Sequence, residues 1–293
     1  MIVDVFFIDD FRWEIDYIRG LLWNHHCRNY FLSSSTLLSS APDDVTDARI
    51  IVFSSNRTSS RNVSSLIHSI KPQVMIHLSD ECGNNHEYIK LYQDVPVVLR
   101  QHYHPNYPQP ANQTIIPLGF MTGMFVPPEP LTERHTTPIT NRKYSWSFVG
   151  KLKHDRQDML DEFQSMKPFF TNLNGLSPCA MAEVYGDSIF VPCGRGNIKL
   201  DCFRLYEATL CGALPVVVGS ESECNELLFS QHNPPWIVAR TWKEAFCKCR
   251  EIRGDKHALE SLQVSNLGWW DKRITYIRSV IDGALGCYKW HLQ

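Results

Sequence analysis

From Asp187 onward the chain runs Asp187-Ser188-Ile189-Phe190-Val191-Pro192-Cys193-Gly194-Arg195-Gly196-Asn197-Ile198-Lys199-Leu200-Asp201-Cys202-Phe203-Arg204-Leu205-Tyr206-Glu207-Ala208-Thr209-Leu210-Cys211-Gly212-Ala213-Leu214-Pro215-Val216-Val217-Val218. An apolar run, a glycine-containing loop, a helical stretch and a second apolar run follow one another, which is the pattern of a strand–helix–strand unit. Asp201 is placed to cap the helix start, Gly212 to end it, and Pro215 to open the next strand where a missing N–H is tolerated.

Working outward, short runs rich in Val, Ile and Phe predict strands at Ile2 to Ile8, Ile50 to Phe53, Val74 to Leu78, Val95 to Leu99, Trp146 to Val149, Ser188 to Val191 and Leu214 to Val218. They mostly lack period-2 alternation, as strands covered on both faces of a parallel sheet do. Helical patterns alternate with them, at Phe11 to Trp23, Asn62 to Ile70, Arg156 to Phe163, Cys202 to Cys211, Lys243 to Ile252 and Trp269 to Ala284. The alternation predicts an α/β architecture of right-handed crossovers. Pro105, Pro108, Pro110, Pro117, Pro127, Pro128, Pro130 and Pro138 crowd one stretch that neither helix nor central strand tolerates. The boundary is therefore expected there. It gives a first Rossmann-like domain over 1–125, a proline-rich linker over 126–143, a second domain over 144–268 and a C-terminal helix over 269–293 packing back on the first domain. A ligand is expected between the C-terminal ends of the two sets of strands.

Composition narrows the function classes. Of the 293 residues 43% are hydrophobic and 20% charged, and no apolar run approaches the length of a membrane span. With 29 Lys+Arg against 31 Asp+Glu the net charge is near −2, so the field that non-specific nucleic-acid binding needs is missing. The N-terminus lacks the basic leader and long apolar core of a signal peptide, which points to a cytoplasmic protein with its ten cysteines reduced. No CxxC pair is present to seed a zinc site. The sequons at Asn56, Asn62 and Asn112 are then expected to be unused.

The chemistry centres on Arg204 and Glu207. Three positions apart, they share a helix face near its N-terminus, where an arginine fork can hold a phosphate and a carboxylate can accept from ribose hydroxyls. The same spacing fits an exposed ion pair equally well. Around them the segment resembles the exostosin-like glycosyltransferases of family 47, whose signature is matched at Phe190, Pro192, Gly194, Arg204, Glu207, Ala208, Gly212, Pro215 and Val216. Cys202 stands where that family has Ser, and Ala213-Leu214 replace Cys-Ile. Upstream, Phe148-Val149-Gly150-Lys151 and Arg156 resemble the family's strand end and its diphosphate-side basic residue. In the N-terminal half, Leu78-Ser79-Asp80-Glu81, Val98-Leu99-Arg100-Gln101-His102-Tyr103 and Pro117-Leu118-Gly119 are similar to short exostosin-like proteins of algae and of large algal viruses; a viral origin would place the protein in the host cytosol.

The resemblance implies a GT-B fold and inversion at the anomeric carbon. It also implies a uridine-linked donor, of the UDP-xylose or UDP-glucuronate type, and an oligosaccharide or glycoprotein glycan as acceptor. Gly150, Lys151, Arg156, Pro192, Gly194, Arg195, Arg204 and Glu207 are then expected on the donor. Basic side chains and helix N-termini are expected to stabilise the leaving diphosphate, so no cofactor and no essential metal are expected. No Asp-x-Asp occurs. Asp9-Asp10 and Asp43-Asp44 are neighbours, which point to opposite faces of a strand.

Inversion needs a proton acceptor, and Asp80 or Glu81, just after the strand Val74 to Leu78, is placed for it, with Asp80 preferred and Asp9, Asp10 and His102 as alternatives. Asp10, His102 and Tyr103 are expected on the acceptor side, and Trp269 and Trp270 as packing anchors. Two rivals remain open at this level: a non-catalytic carbohydrate-binding or partner subunit with the same fold, and a nucleotide-dependent oxidoreductase. Against the second, Ile8-Asp9-Asp10-Phe11 stands where GxGxxG would follow the first strand.

Overall fold

The computed structural model describes residues 1–9, 13–33, 45–83, 86–125 and 131–286. It divides into two units, Met1–Pro117 together with the chain from Thr275 onward, and Leu118–Ile274.

In the first unit the apolar run Ile2–Ile8 is the strand β1, followed by α1 (Ile15–Leu21), β2 (His26–Leu32), β3 (Arg49–Ser54), α2 (Ser60–Ile70), β4 (Val74–Leu78), α3 (His86–Leu91), β5 (Val97–Arg100) and β6 (Gln113–Ile115). The strands form one sheet in the order β2-β1-β3-β4-β5-β6, every pairing parallel. Phe6, Ile51, Phe53, Val63, Ile67, Met75 and Val98 pack a core between this sheet and its helices. Asp4, the polar break in the first strand, is fully buried, and its carboxylate accepts from Arg28 on the adjacent strand at 2.7 and 2.9 Å and from the Thr46 hydroxyl at 2.9 Å. Pairing at both oxygens makes burial of that charge tolerable.

The second unit contains β7 (Tyr144–Val149), α4 (Arg156–Phe163), β8 (Phe169–Asn172), α5 (Pro178–Gly186), β9 (Ser188–Pro192), α6 (Phe203–Leu210), β10 (Leu214–Val218), α7 (Glu221–Ser230), β11 (Ile237–Ala239), α8 (Trp242–Gly254) and the start of α9 (Lys256–Ala284). Its sheet, also parallel, runs β11-β10-β9-β7-β8. The segment from Leu118 belongs to this unit: Trp270 on α9 donates to the Leu131 carbonyl at 2.6 Å, and the Ile139 N–H donates to Gln263 at 3.0 Å. From Thr275 the long helix belongs to the first unit, where Asp282 meets His25 at 2.8 Å and Arg278 donates to the Gly20 carbonyl at 2.7 Å. In both sheets the strand order reverses beside the first strand of the unit, between β1 and β3 and between β7 and β9, which is where a parallel sheet opens a crevice at its C-terminal edge.

The helix at 203–210 starts after Cys202 rather than on an Asp201 cap; Asp201 instead accepts the Tyr206 hydroxyl at 2.6 Å. Gly212 does end it, at φ 70°. Among the described residues no helix is long and apolar enough to cross a membrane, and nine cysteines are free.

Arg142 ties the second unit together. Its buried guanidinium donates to the carbonyls of Thr137, Tyr185, Ser188 and Cys211 at 2.8–3.2 Å, so it serves the C-terminal ends of α5 and α6, the start of β9 and the approach to β7. Burial lowers its pKa to about 10, which leaves it charged. Arg142→Ala is expected to destabilise this unit by at least about 3 kcal/mol, because several carbonyls lose their partner in a site water does not reach. Arg142→Lys should recover only part of this, since an ammonium lacks the fork. Urea unfolding of the two variants checks both expectations.

Candidate functional site

At the C-terminal edge of the second sheet, two arginines from different helices meet over the ends of β7 and β9. Arg204, in the first turn of α6, donates from Nε to the Val149 carbonyl at 3.0 Å. Arg156, the first residue of α4, donates to the carbonyls of Lys151 and Arg195, both at 2.7 Å, and so stitches the loops after β7 and β9 together. Both guanidiniums lie over the Phe148 ring, at 5.4 Å for Arg204 and 5.8 Å for Arg156. Burial, and then the like charge of Arg204, lower the Arg156 pKa.

Two glycines make this approach possible. The space that a Cβ on Gly150 would fill is occupied by the Arg204 guanidinium, and Gly150 has φ 144°. A Cβ on Gly194 would stand 2.8 Å from Cγ of Arg156. Paired cations held by carbonyls and an aromatic face, at a strand-order reversal, are an arrangement that an anion with several oxygens completes.

Glu207, one turn beyond Arg204, is 1% exposed and accepts the Met121 N–H at 3.3 Å. Burial pushes its carboxyl up to about 7 against the opposing effect of the Arg204 charge. It is thus not half of a solvated surface pair. Pro192 ends β9, and Lys151 is exposed beside the arginines. The Arg195 side chain donates to Glu223 at 2.5 Å and to the Ile198 carbonyl at 3.0 Å, while its own carbonyl accepts from Arg156. The sequence reading missed Tyr185, whose fully buried hydroxyl has no hydrogen-bond partner among the described residues and lies near Arg204 and Glu207.

The edge of the first sheet holds the other expected residues. Asp80 follows β4 and is 2% exposed, with its carboxylate paired to Arg100 at the end of β5. Its carbonyl meets His104 Nε2 at 2.7 Å, so two loops hold it. Glu81 beside it is half-buried, as is Tyr103, while His102 is buried in left-handed backbone at φ 57°. Asp9 accepts the Thr58 hydroxyl at 2.6 Å. Asp10 and the Asp43-Asp44 pair lie outside the described residues. Among the described residues no three His, Cys, Asp or Glu side chains converge as a metal site requires. Trp269 and Trp270 pack inward: Trp269 stands edge-on to Trp236 at 5.4 Å, and Trp270 lies against Tyr206 at 6.3 Å.

Neither a family model nor a curated protein sequence matches the chain. Solved structures do resemble it. That of Anabaena Alr3699/HepE, in complex with UDP and glucose, matches over 97% of this chain and 99% of its own, with a TM-score of 0.52 at 11% identity. The fold is that of the GT-B glycosyltransferases. T4 phage BGT in complex with UDP and Mn2+ gives a TM-score of 0.49 at 12% identity, over 97% of this chain and 99% of its own.

Gly150→Ala is expected to leave the second unit folded and to weaken pyrophosphate binding at least about tenfold, because a methyl there displaces the Arg204 guanidinium and strains the backbone. Calorimetric titration with pyrophosphate, beside circular dichroism, checks it.

Proposed function

We propose that this chain is an inverting glycosyltransferase that takes a sugar from a uridine diphosphate donor, of the UDP-xylose or UDP-glucuronate type, and passes it to a glycan hydroxyl. The observation that carries the reading is the convergence of Arg156 and Arg204 at the switch point of the second sheet, with the buried Glu207 carboxyl beside them. The likeness of fold to Anabaena Alr3699/HepE, itself solved with UDP and glucose, supports it. The match at Phe190, Pro192, Gly194, Arg204, Glu207 and Gly212 supports an exostosin-like affiliation.

In this reading the acceptor oxygen bonds to the anomeric carbon as the bond from that carbon to the diphosphate oxygen breaks. The electron pair leaves with the diphosphate, and the hydroxyl proton goes to a carboxylate acting as general base. The two guanidiniums, buried at Arg156 and half-buried at Arg204, neutralise the leaving group, and burial strengthens the effect of their charge. Glu207 and the Tyr185 hydroxyl fix the nucleoside. Lys151, exposed at the rim, adds charge to the entry path. With the diphosphate neutralised by side chains, transfer proceeds without an essential metal, and the free thiols suit a cytoplasmic setting.

Screening UDP-xylose, UDP-glucuronate and UDP-glucose for thermal stabilisation identifies the donor, since a ligand bound only by the folded state raises Tm. Arg204→Ala and Glu207→Ala are each expected to lower turnover of that donor at least about 100-fold with the fold retained, the first by losing charge stabilisation and the second by losing nucleoside positioning. Near wild-type turnover by either variant overturns the donor assignment. Turnover should survive EDTA; loss in chelator, restored by one metal, overturns metal independence. Donor binding without transfer or hydrolysis would make the chain a non-catalytic binding subunit.

A further inference from the structure

Among the described residues the second unit exposes five large apolar side chains, and three of them gather at one edge. Leu152 follows β7 and is 44% exposed, Leu173 follows β8 and is 39% exposed, and Ile198, on the loop after β9, is 51% exposed. Those strands lie side by side in the order β9-β7-β8, so the loops that leave them are neighbours at the C-terminal edge of the sheet. Hydrogen bonds join the loops into one rim. The Gly150 N–H donates to the Asn172 carbonyl at 2.9 Å, and Lys153 Nζ donates to the Asn197 side chain at 3.1 Å. Single apolar side chains are ordinary on a protein surface, whereas a group of them on adjoining loops marks a surface that another body covers.

The charge around these side chains is of one sign. Lys151 and Lys153 flank Leu152 and are exposed, with His154 beyond them. Over the loops 150–155, 173–177 and 193–202 there are two acids, and both turn inward: Asp155 accepts from the Trp242 indole at 2.8 Å, and Asp201 is buried against the Tyr206 hydroxyl at 2.6 Å. On the flank, Glu223 and Glu226 of α7 are offset by Arg195 at 2.5 Å and Lys199 at 2.7 Å. Protein interfaces favour aromatic residues and arginine and are poor in lysine, and this rim has the opposite composition. Leucine and isoleucine ringed by lysine match an anionic lipid surface instead, where the ammonium groups meet headgroup charge and the aliphatic side chains enter the acyl boundary.

We propose that this rim docks the protein reversibly on a bilayer that contains anionic lipid. Three aliphatic side chains are shallow anchors. They hold only with the help of the lysines, so the association weakens as salt screens the charge. Such docking requires neither donor nor acceptor, and it stands or falls apart from the glycosyl-transfer reading.

Sedimentation of the full chain with extruded vesicles tests it. Vesicles of phosphatidylcholine with about 30% phosphatidylserine should bind the wild-type protein at least about tenfold more tightly than phosphatidylcholine alone. Raising the salt from about 0.1 M to about 0.5 M should remove most of that difference. The triple variant Leu152→Ser, Leu173→Ser, Ile198→Ser should lose at least about tenfold in affinity for the anionic vesicles, and Lys153→Glu at least about fivefold, each with the circular dichroism of the wild type. Val264→Ser, which removes a 71% exposed side chain from α9 of the same unit, should bind as the wild type does.

Wild-type protein that stays in the supernatant beside anionic vesicles overturns the proposal. So does a folded triple variant that binds as the wild type does, a Val264→Ser protein that loses as much as the triple variant, or equal binding to neutral and anionic vesicles. Dimerisation at rising concentration that the triple variant abolishes, in a wild-type protein indifferent to vesicles, assigns the rim to a second copy of the chain and overturns the lipid assignment.

Discussion

Two positions without a side chain carry the site in the second unit. The ends of β7 and β9 come close enough for guanidiniums from α4 and α6 to cross them only because Gly150 and Gly194 leave room, and a methyl at either would meet an arginine rather than solvent. Everything the site can do follows from that closeness. The arginines are fixed by carbonyls at 2.7–3.0 Å, so they need not be ordered when an anion arrives, and little rotamer entropy remains to be lost on binding. The cost is like-charge repulsion in a partly dry setting, borne by the rigid unit that Arg142 holds together.

The first unit solves a different problem with the same architecture. Its sheet buries acidic groups, and their environments separate them into kinds. Asp4 is paired with Arg28, and Asp80 with Arg100. Glu14 has a serine hydroxyl and a more remote arginine, and burial dominates. Environment rather than residue type sets what each carboxylate can do, as it does where one fold runs acid and base chemistry side by side.

Much of the architecture was legible in the residues. Runs such as Ile2–Ile8, Val74–Leu78 and Leu214–Val218 are apolar throughout because both faces of a central parallel strand are covered, and they are strands over those same bounds. The strands the reading passed over are β2, with His26, Cys27, Arg28 and Asn29, and the short β6, β8 and β11. Three of these form outer edges of their sheets and β6 forms the fourth; an edge strand needs fewer apolar residues and carries a weaker signal. Glu14 was misplaced for another reason. The helical periodicity from Phe11 to Trp23 places it inside a helix, whereas α1 begins at Ile15 and leaves Glu14 on the loop that enters it.

The sequence by itself determined the alternation of strand and helix, the glycines at the ends of β7 and β9, and the presence of Arg156, Arg204 and Glu207 near those ends. These are local properties, set by hydrophobic periodicity, by positions that favour glycine and by spacing along a helix. Only the tertiary structure decided which carboxylates are spoken for. Asp80 meets Arg100, twenty residues away, across paired strands, and Glu14 meets Ser79 and Arg57 through the order β1-β3-β4. Burial and charge partners come from residues distant in the chain, so the protonation behaviour of a carboxylate is a property of the folded sheet edge and not of the sequence around it.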